Sequence, residues 1–171
     1  KFLGIGVDRL DYTKGILERF KGLEFFFDTY PAYKEQFTFL QIAPPSREGV
    51  EKYRQFNDDV TQEADRINKK LEINGWKPIR LLKEHFTHEE IYPLYRMANV
   101  CLVTSLSDGM NLVAKEFVAN KDDNSGVLIL SQFTGAARDL KGAITINPYS
   151  AEETAEAIYK AITMPATEQR I

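Results

Sequence analysis

Four short segments of this chain run apolar almost without interruption: Phe2–Val7 (FLGIGV), Phe37–Ala43 (FTFLQIA), Asn99–Thr104 (NVCLVT) and Val127–Leu130 (VLIL). A strand with one wet face alternates apolar and polar residues, whereas a strand lacking a polar face must be covered on both sides. Between these segments the periodicity changes to three and four. Ile16, Phe20, Leu23 and Phe27 mark one amphipathic helix, and Val50, Tyr53, Phe56, Val60, Ala64, Ile67 and Leu71 mark a longer one over Val50–Leu71. Thr87 and Glu90 have capping-box spacing for a helix carrying Ile91, Leu94 and Tyr95, with Pro93 expected in or near its first turn. Further helices are expected over Met110–Ala119 and Ala151–Ile162, and further strands over Ile79–Leu82 and Ala143–Ile146. Buried strands alternating with helices predict a Rossmann-like α/β domain, a parallel sheet with helices on both faces. In such sheets ligands bind beyond the carboxyl ends of the strands.

Composition excludes several classes. With 171 residues, 43% of them apolar and 27% charged, the chain fits one soluble globular domain. A net charge of −3 gives no general attraction to nucleic acid or anionic membrane, and no apolar run reaches membrane-spanning length. The single cysteine, Cys101, rules out an internal disulfide and points to a reducing cytoplasm. Lys1 opens directly into a strand-like segment without an initiator Met, so a piece of a longer protein is expected. His85 and His88 are the only histidines and the one cysteine is expected on a distant strand, so they are read as solvated or loop-packing rather than metal-binding. Cys101 and Trp76 are assigned to the core, Met110 is expected to pack near a helix start, and Asp122-Asp123 is read as a wet loop.

Two groups of residues follow strand ends and bear on chemistry. Arg9 and Lys14, in GVDRLDYTKGI, offer a planar fork and a point charge suited to a diphosphate. A solvated turn in which Asp8 and Asp11 pair with both bases fits the same residues. Gly4-x-Gly6 lies within the strand and lacks the third glycine of a dinucleotide fingerprint, and no Gly-Lys-Ser/Thr marks a P-loop. The second group is Ser107–Glu116 (SDGMNLVAKE), where a glycine turn leads into a helix whose first N–H groups favour an anion. Asp108 can accept hydrogen bonds from sugar hydroxyls, and Glu116 has two oxygens for a ribose. Alternatively Asp108 caps the helix and Glu116 pairs with Lys115 or Lys121.

The segments GVDRLDYTKGI, LQIAPPSR, SLSDGMNLVAKEFVA, SQFTGAA and INPYS occur in this order over almost the whole chain. Together they resemble glycosyltransferase family 20, the trehalose-6-phosphate synthases. The resemblance implies a two-domain GT-B enzyme of which this chain is the C-terminal, donor-binding domain, with the N-terminal acceptor-binding domain as its partner. It implies transfer of glucose from UDP-glucose to glucose 6-phosphate with retention, no cofactor and no metal. By the same resemblance Arg9 and Lys14 stabilise the leaving diphosphate and Asp108 holds donor glucose hydroxyls. Gly109, Met110, Asn111, Leu112, Val113, Ala114 and Lys115 line the donor, and Glu116 binds the ribose. Phe86 meets the uracil through its backbone, and Arg47 reaches the acceptor phosphate. Thr87-His88 departs from the basic residues that some members carry at this point. Another GT-B transferase with a different donor or acceptor, and a non-catalytic regulatory subunit of a trehalose-synthesis complex, remain alternatives. Self-association into a homo-oligomer is also left open.

Overall fold

The computed structural model describes residues 1–46 and 49–169, so Arg47 lies outside the described residues. Six strands, β1 (Phe2–Val7), β2 (Phe37–Ile42), β3 (Ile79–Leu82), β4 (Val100–Val103), β5 (Val127–Ser131) and β6 (Ile144–Ile146), form one sheet in the order β3-β2-β1-β4-β5-β6. Every neighbouring pair is parallel. The order reverses between β1 and β4, which makes the crevice beyond their carboxyl ends the topological switch point.

The lack of a polar face on the central strands follows from two separate cores. Val100, Leu102, Val127 and Ile129 enter one, built with α1 (Ile16–Thr29), α2 (Glu51–Leu71) and α5 (Ala151–Thr163). The alternate residues Cys101, Val103, Leu128 and Leu130 enter the other, built with α3 (His88–Met97) and α4 (Leu112–Ala119). In α2, Phe56, Val60, Ala64, Ile67 and Leu71 are buried as the stripe predicts, while Val50 is left exposed at the helix start. The glycines within β1 serve packing. A Cβ on Gly4 would lie 2.8 Å from the rings of Phe37 and Phe39, and one on Gly6 would lie 2.6 Å from Arg19 Nη1.

Three local expectations change. Pro93 sits well inside α3, on its exposed side, rather than at the first turn, and the Thr87–Glu90 capping box is formed. The proline costs this helix the backbone hydrogen bond from position 93 to the carbonyl of Glu89. The helix expected from Met110 begins at Leu112, because Asn111 takes a φ of 76° and serves as its N-cap. Met110 is consequently in the turn and 52% exposed instead of packed.

Candidate functional site

The loop after β1 is held in place by its backbone before any side chain acts. Asp8 and Leu10 donate N–H bonds to Ile42 and Pro44, at 3.0 and 2.9 Å, which ties this loop to the end of β2. Asp11 then caps a short 3-10 turn over Tyr12–Lys14, accepting from the N–H and hydroxyl of Thr13. Gly15 closes that turn with φ 70°, against the carbonyl of Thr104 where any side chain would collide. Leu106 N–H donates to Thr13 O at 2.8 Å, so the loops after β1 and β4 are joined across the switch point.

The loop after β4 is braced from its other side. Gly135 and Ala136 donate to the carbonyls of Asp108 and Met110, and Asp108 bridges Thr134 in parallel. Asn111 closes the turn with both ends of its amide. Its Oδ1 accepts from Ala114 N–H at 3.0 Å, and its Nδ2 donates to Asp108 Oδ2 at 3.0 Å. The first-turn N–H groups of Leu112 and Val113 have no intrahelical partner, and no hydrogen bond to them is found among the described residues.

These two loops enclose a cavity of about 540 Å³ lined by Val7, Asp8, Arg9, Lys14, Pro44, Asp108, Met110, Asn111, Leu112 and Val113. Lys14 Nζ donates to Asp108 Oδ2 at 2.8 Å, with side chains 18% and 13% exposed. Burial pushes the Asp108 carboxyl up. The hydrogen bonds from Lys14 and Asn111 and the Lys14 charge outweigh it, and the carboxyl titrates below its ordinary value. Oδ2 also receives the Ser105 hydroxyl at 3.4 Å, whereas Oδ1 has only a long contact from Met110 N–H. Asp108 is therefore ionised at neutral pH, with acceptor capacity left on one oxygen.

The bland pairing of both bases with Asp8 and Asp11 does not occur. Asp11 caps its own turn, and Asp8 binds Arg19, a residue that the motif reading did not single out. Arg9 is exposed at the cavity with no ion-pair partner among the described residues. Burial pushes the Asp8 carboxyl up against the opposing pull of Arg19. The detectable sign of this pair was Arg19 itself, a charge in the middle of the stripe Ile16, Phe20 and Leu23.

The other residues of the second group are divided. Ala114 is buried, and Lys115 is turned to Asp139 at 3.1 Å. Glu116 does not pair with Lys115 or Lys121. Its carboxylate instead lies 3.9 Å from the imidazole Nδ1 of His88, while Lys121 donates to the carbonyls of Arg96 and Ala98. Gly109, Glu116 and Phe86 are not among the cavity-lining residues, although the Glu116–His88 approach places Glu116 beside the helix that follows Phe86. Among the described residues, no group of three or more His, Cys, Asp or Glu side chains is arranged to hold a metal ion. No described helix is long and apolar enough to cross a membrane.

Comparison with known proteins identifies the family. The model for glycosyltransferase family 20 matches residues 1–171. The chain is 46% identical over 164 residues to the trehalose-6-phosphate synthase of Citrobacter koseri, covering 95% of this chain and 35% of that protein. It is 42% identical over 165 residues to alpha,alpha-trehalose-phosphate synthase [UDP-forming] A of Dictyostelium discoideum, covering 96% and 22%. Among solved structures, the Burkholderia xenovorans synthase in complex with glucose-6-phosphate superimposes with a TM-score of 0.97 at 41% identity, covering 99% of this chain and 38% of that one. An E. coli structure described as trehalose-6-phosphate bound with UDP-2-fluoro glucose gives 0.96 at 44% identity, covering 98% and 38%. The chain thus spans about a third of the length of the bacterial relative, 35%.

Proposed function

From the premise that this chain belongs to glycosyltransferase family 20, we propose that it is the C-terminal, donor-binding domain of a retaining, UDP-forming trehalose-phosphate synthase of GT-B architecture. Such an enzyme moves glucose from UDP-glucose to glucose 6-phosphate. The observation that carries the reading is the switch-point cavity, which brings together Arg9, Lys14, Asp108 and the open start of α4. Two cations and two free N–H groups suit a diphosphate, and an ionised carboxylate beside them suits sugar hydroxyls. Lys14 has three donors, so it can hold Asp108 and a phosphate oxygen together.

Glycosyl transfer passes through an oxocarbenium-like state while the departing diphosphate gains negative charge. Arg9, Lys14 and the N–H groups of Leu112 and Val113 stabilise that charge electrostatically, without a required metal. Asp108 orients the glucose, and the backbone of Gly109–Val113 meets sugar and phosphate. Glu116 takes the ribose and the Phe86 backbone the uracil. No carboxylate is assigned as a nucleophile. The acceptor attacks on the face from which UDP leaves, and the leaving phosphate takes its proton. Arg47 is assigned to the acceptor phosphate by family resemblance alone. The proposed setting is the cytoplasm.

A partner domain closing over this edge is supported by its surface. Exposed large apolar side chains sit in the segments that follow five of the six strands: Tyr12 after β1, Val50 after β2, Met110 and the first α4 residue Leu112 after β4, Phe133 after β5 and Tyr149 after β6. The proposed cover is the N-terminal acceptor-binding domain. The test is calorimetry of the chain against UDP, UDP-glucose, GDP-glucose and ADP-glucose, followed by an assay with glucose 6-phosphate. Tightest binding is expected for the uridine ligands, without divalent ions, and weaker as salt rises. Arg9→Ala should cost about 1.5–3 kcal/mol, roughly a 10–150-fold loss. Turnover by this chain alone should be absent, because alignment of two substrates between two domains supplies about 7–11 kcal/mol of such barriers. Unchanged UDP affinity in both Arg9→Ala and Lys14→Ala would refute the assignment.

A further inference from the structure

We propose that Arg19 is the positioning residue of the diphosphate subsite, cancelling the charge of Asp8 on the cavity floor and fixing the loop that carries Arg9 and Lys14. The proposal rests on the donor-site reading above. Arg19 lies in the first turn of α1 and is 0% exposed. Its Nη1 donates to Asp8 Oδ2 at 2.7 Å and to Gln41 Oε1 at 2.6 Å. Its Nε donates to Thr104 Oγ1 at 2.9 Å, and its Nη2 makes a longer contact with the backbone carbonyl of Lys14 at 3.4 Å. One guanidinium therefore links the carboxyl ends of β1, β2 and β4, the three strands around the switch point. Gly6 is part of the same arrangement, since a Cβ there would lie 2.6 Å from Arg19 Nη1 and 2.7 Å from Gln41 Oε1.

Stability alone does not call for this arrangement. Arg19 is set among Ile16, Phe20 and Leu23, and replacing a buried ion pair by well-packed apolar side chains is often neutral or stabilising. An apolar pair would also leave the floor uncharged; what it cannot do is bond Gln41, Thr104 and the Lys14 carbonyl from one side chain beneath the cavity. Asp8 lines it together with Arg9 and Lys14. An uncompensated carboxylate there would repel the anion those cations are placed to hold. With Arg19 against it, the floor is neutral and the field of Arg9 and Lys14 is left for the ligand. The contact with the Lys14 carbonyl and the bond to Thr104 hold the lysine loop at the end of β4, opposite Asp108.

The test measures binding of pyrophosphate, UDP and uridine by the full 171-residue chain, together with thermal midpoints, for the natural protein, Arg19→Met and the neutral pair Asp8→Asn/Arg19→Gln. Pyrophosphate and UDP affinity should fall at least about tenfold in folded Arg19→Met, with uridine affinity within about twofold. The neutral pair leaves no lone buried charge, which keeps the measurement open if Arg19→Met does not fold. It should bind pyrophosphate with an affinity between those of the natural chain and Arg19→Met, because Asp8 no longer repels while the ties to Lys14 and Thr104 are lost. A purely structural role would lower the midpoint and leave the folded protein's pyrophosphate affinity intact. Natural affinity for pyrophosphate in either variant overturns the proposal. Pyrophosphate binding without UDP binding by the natural chain would overturn the donor reading instead, and Arg19 would then be judged on pyrophosphate alone.

Discussion

Gly15→Ala tests whether the contact between the β1 and β4 loops supports both the fold and the site. Gly15 has φ 70°, and a Cβ there would collide with the carbonyl oxygen of Thr104 and lie 3.1 Å from its carbonyl carbon. The obstacle is backbone, so no rotamer change relieves it. Gly75 is the matched control, with φ 79° and nothing within 4 Å of an added Cβ. Left-handed strain alone costs about 1–2 kcal/mol, the loss expected for Gly75→Ala. Gly15→Ala adds an overpacking cost of about 1–3 kcal/mol, giving roughly 2–5 kcal/mol in all. At about 2–4 °C per kcal/mol for a chain of this size, the melting midpoint should fall by roughly 4–20 °C, against about 2–8 °C for the control. Urea titration gives the free energies, and calorimetry with UDP reads the site. Only Gly15→Ala should weaken UDP binding, because only it separates the loops carrying Lys14 and Asp108. Equal losses of stability in both variants, or natural UDP affinity in folded Gly15→Ala, would refute the reasoning.

Glu116→Gln exchanges one acceptor oxygen for a donor, so UDP binding should weaken while pyrophosphate binding stays within about twofold; parallel losses would mean that Glu116 supports the fold. Glu24 accepts from Arg66 and Lys70, and chiefly the Arg66 hydrogen bond holds its carboxyl below the usual 4.5. A lowered native pKa gives stability that is present above the unfolded value and lost as pH falls through the native one. Glu24→Gln should therefore cost up to about 1 kcal/mol at pH 7, limited by solvent screening of Arg66, with the gap closing below about pH 4 in urea titrations; a gap that persists at pH 2 would contradict this. Tyr95→Phe should be neutral or stabilising by up to about 1 kcal/mol, since the buried Tyr95 hydroxyl has no hydrogen-bond partner among the described residues. A marked loss of stability on urea titration would show that the hydroxyl is satisfied in solution.

How far the sequence reveals this molecule depends on the range of the interaction concerned. β4 and β5 are legible because burial on two faces removes the polar alternation, and a strand carries that mark in its own residues. The α3 capping box is legible for the same reason, as its donor and acceptor lie three residues apart. The start of α4 is less so. Asp108 and Asn111 are both good capping residues, and it is the asparagine whose Oδ1 accepts from Ala114 N–H, which leaves the aspartate to face Lys14. Lys14 and Asp108 lie 94 positions apart, and nothing local to either predicts their bond. It requires the reversal of strand order between β1 and β4, which sets the two loops side by side. Arg19 lies between these cases. Its position within an apolar stripe announces that a buried guanidinium must be matched, but its partners Asp8, Gln41 and Thr104 come from the ends of three strands. The nearer aspartates, Asp8 and Asp11, therefore fitted a solvated pairing with Arg9 and Lys14 until the sheet order assigned Asp8 to Arg19. That assignment leaves Arg9 unpaired among the described residues and Lys14 facing Asp108, the charge arrangement on which the diphosphate reading depends.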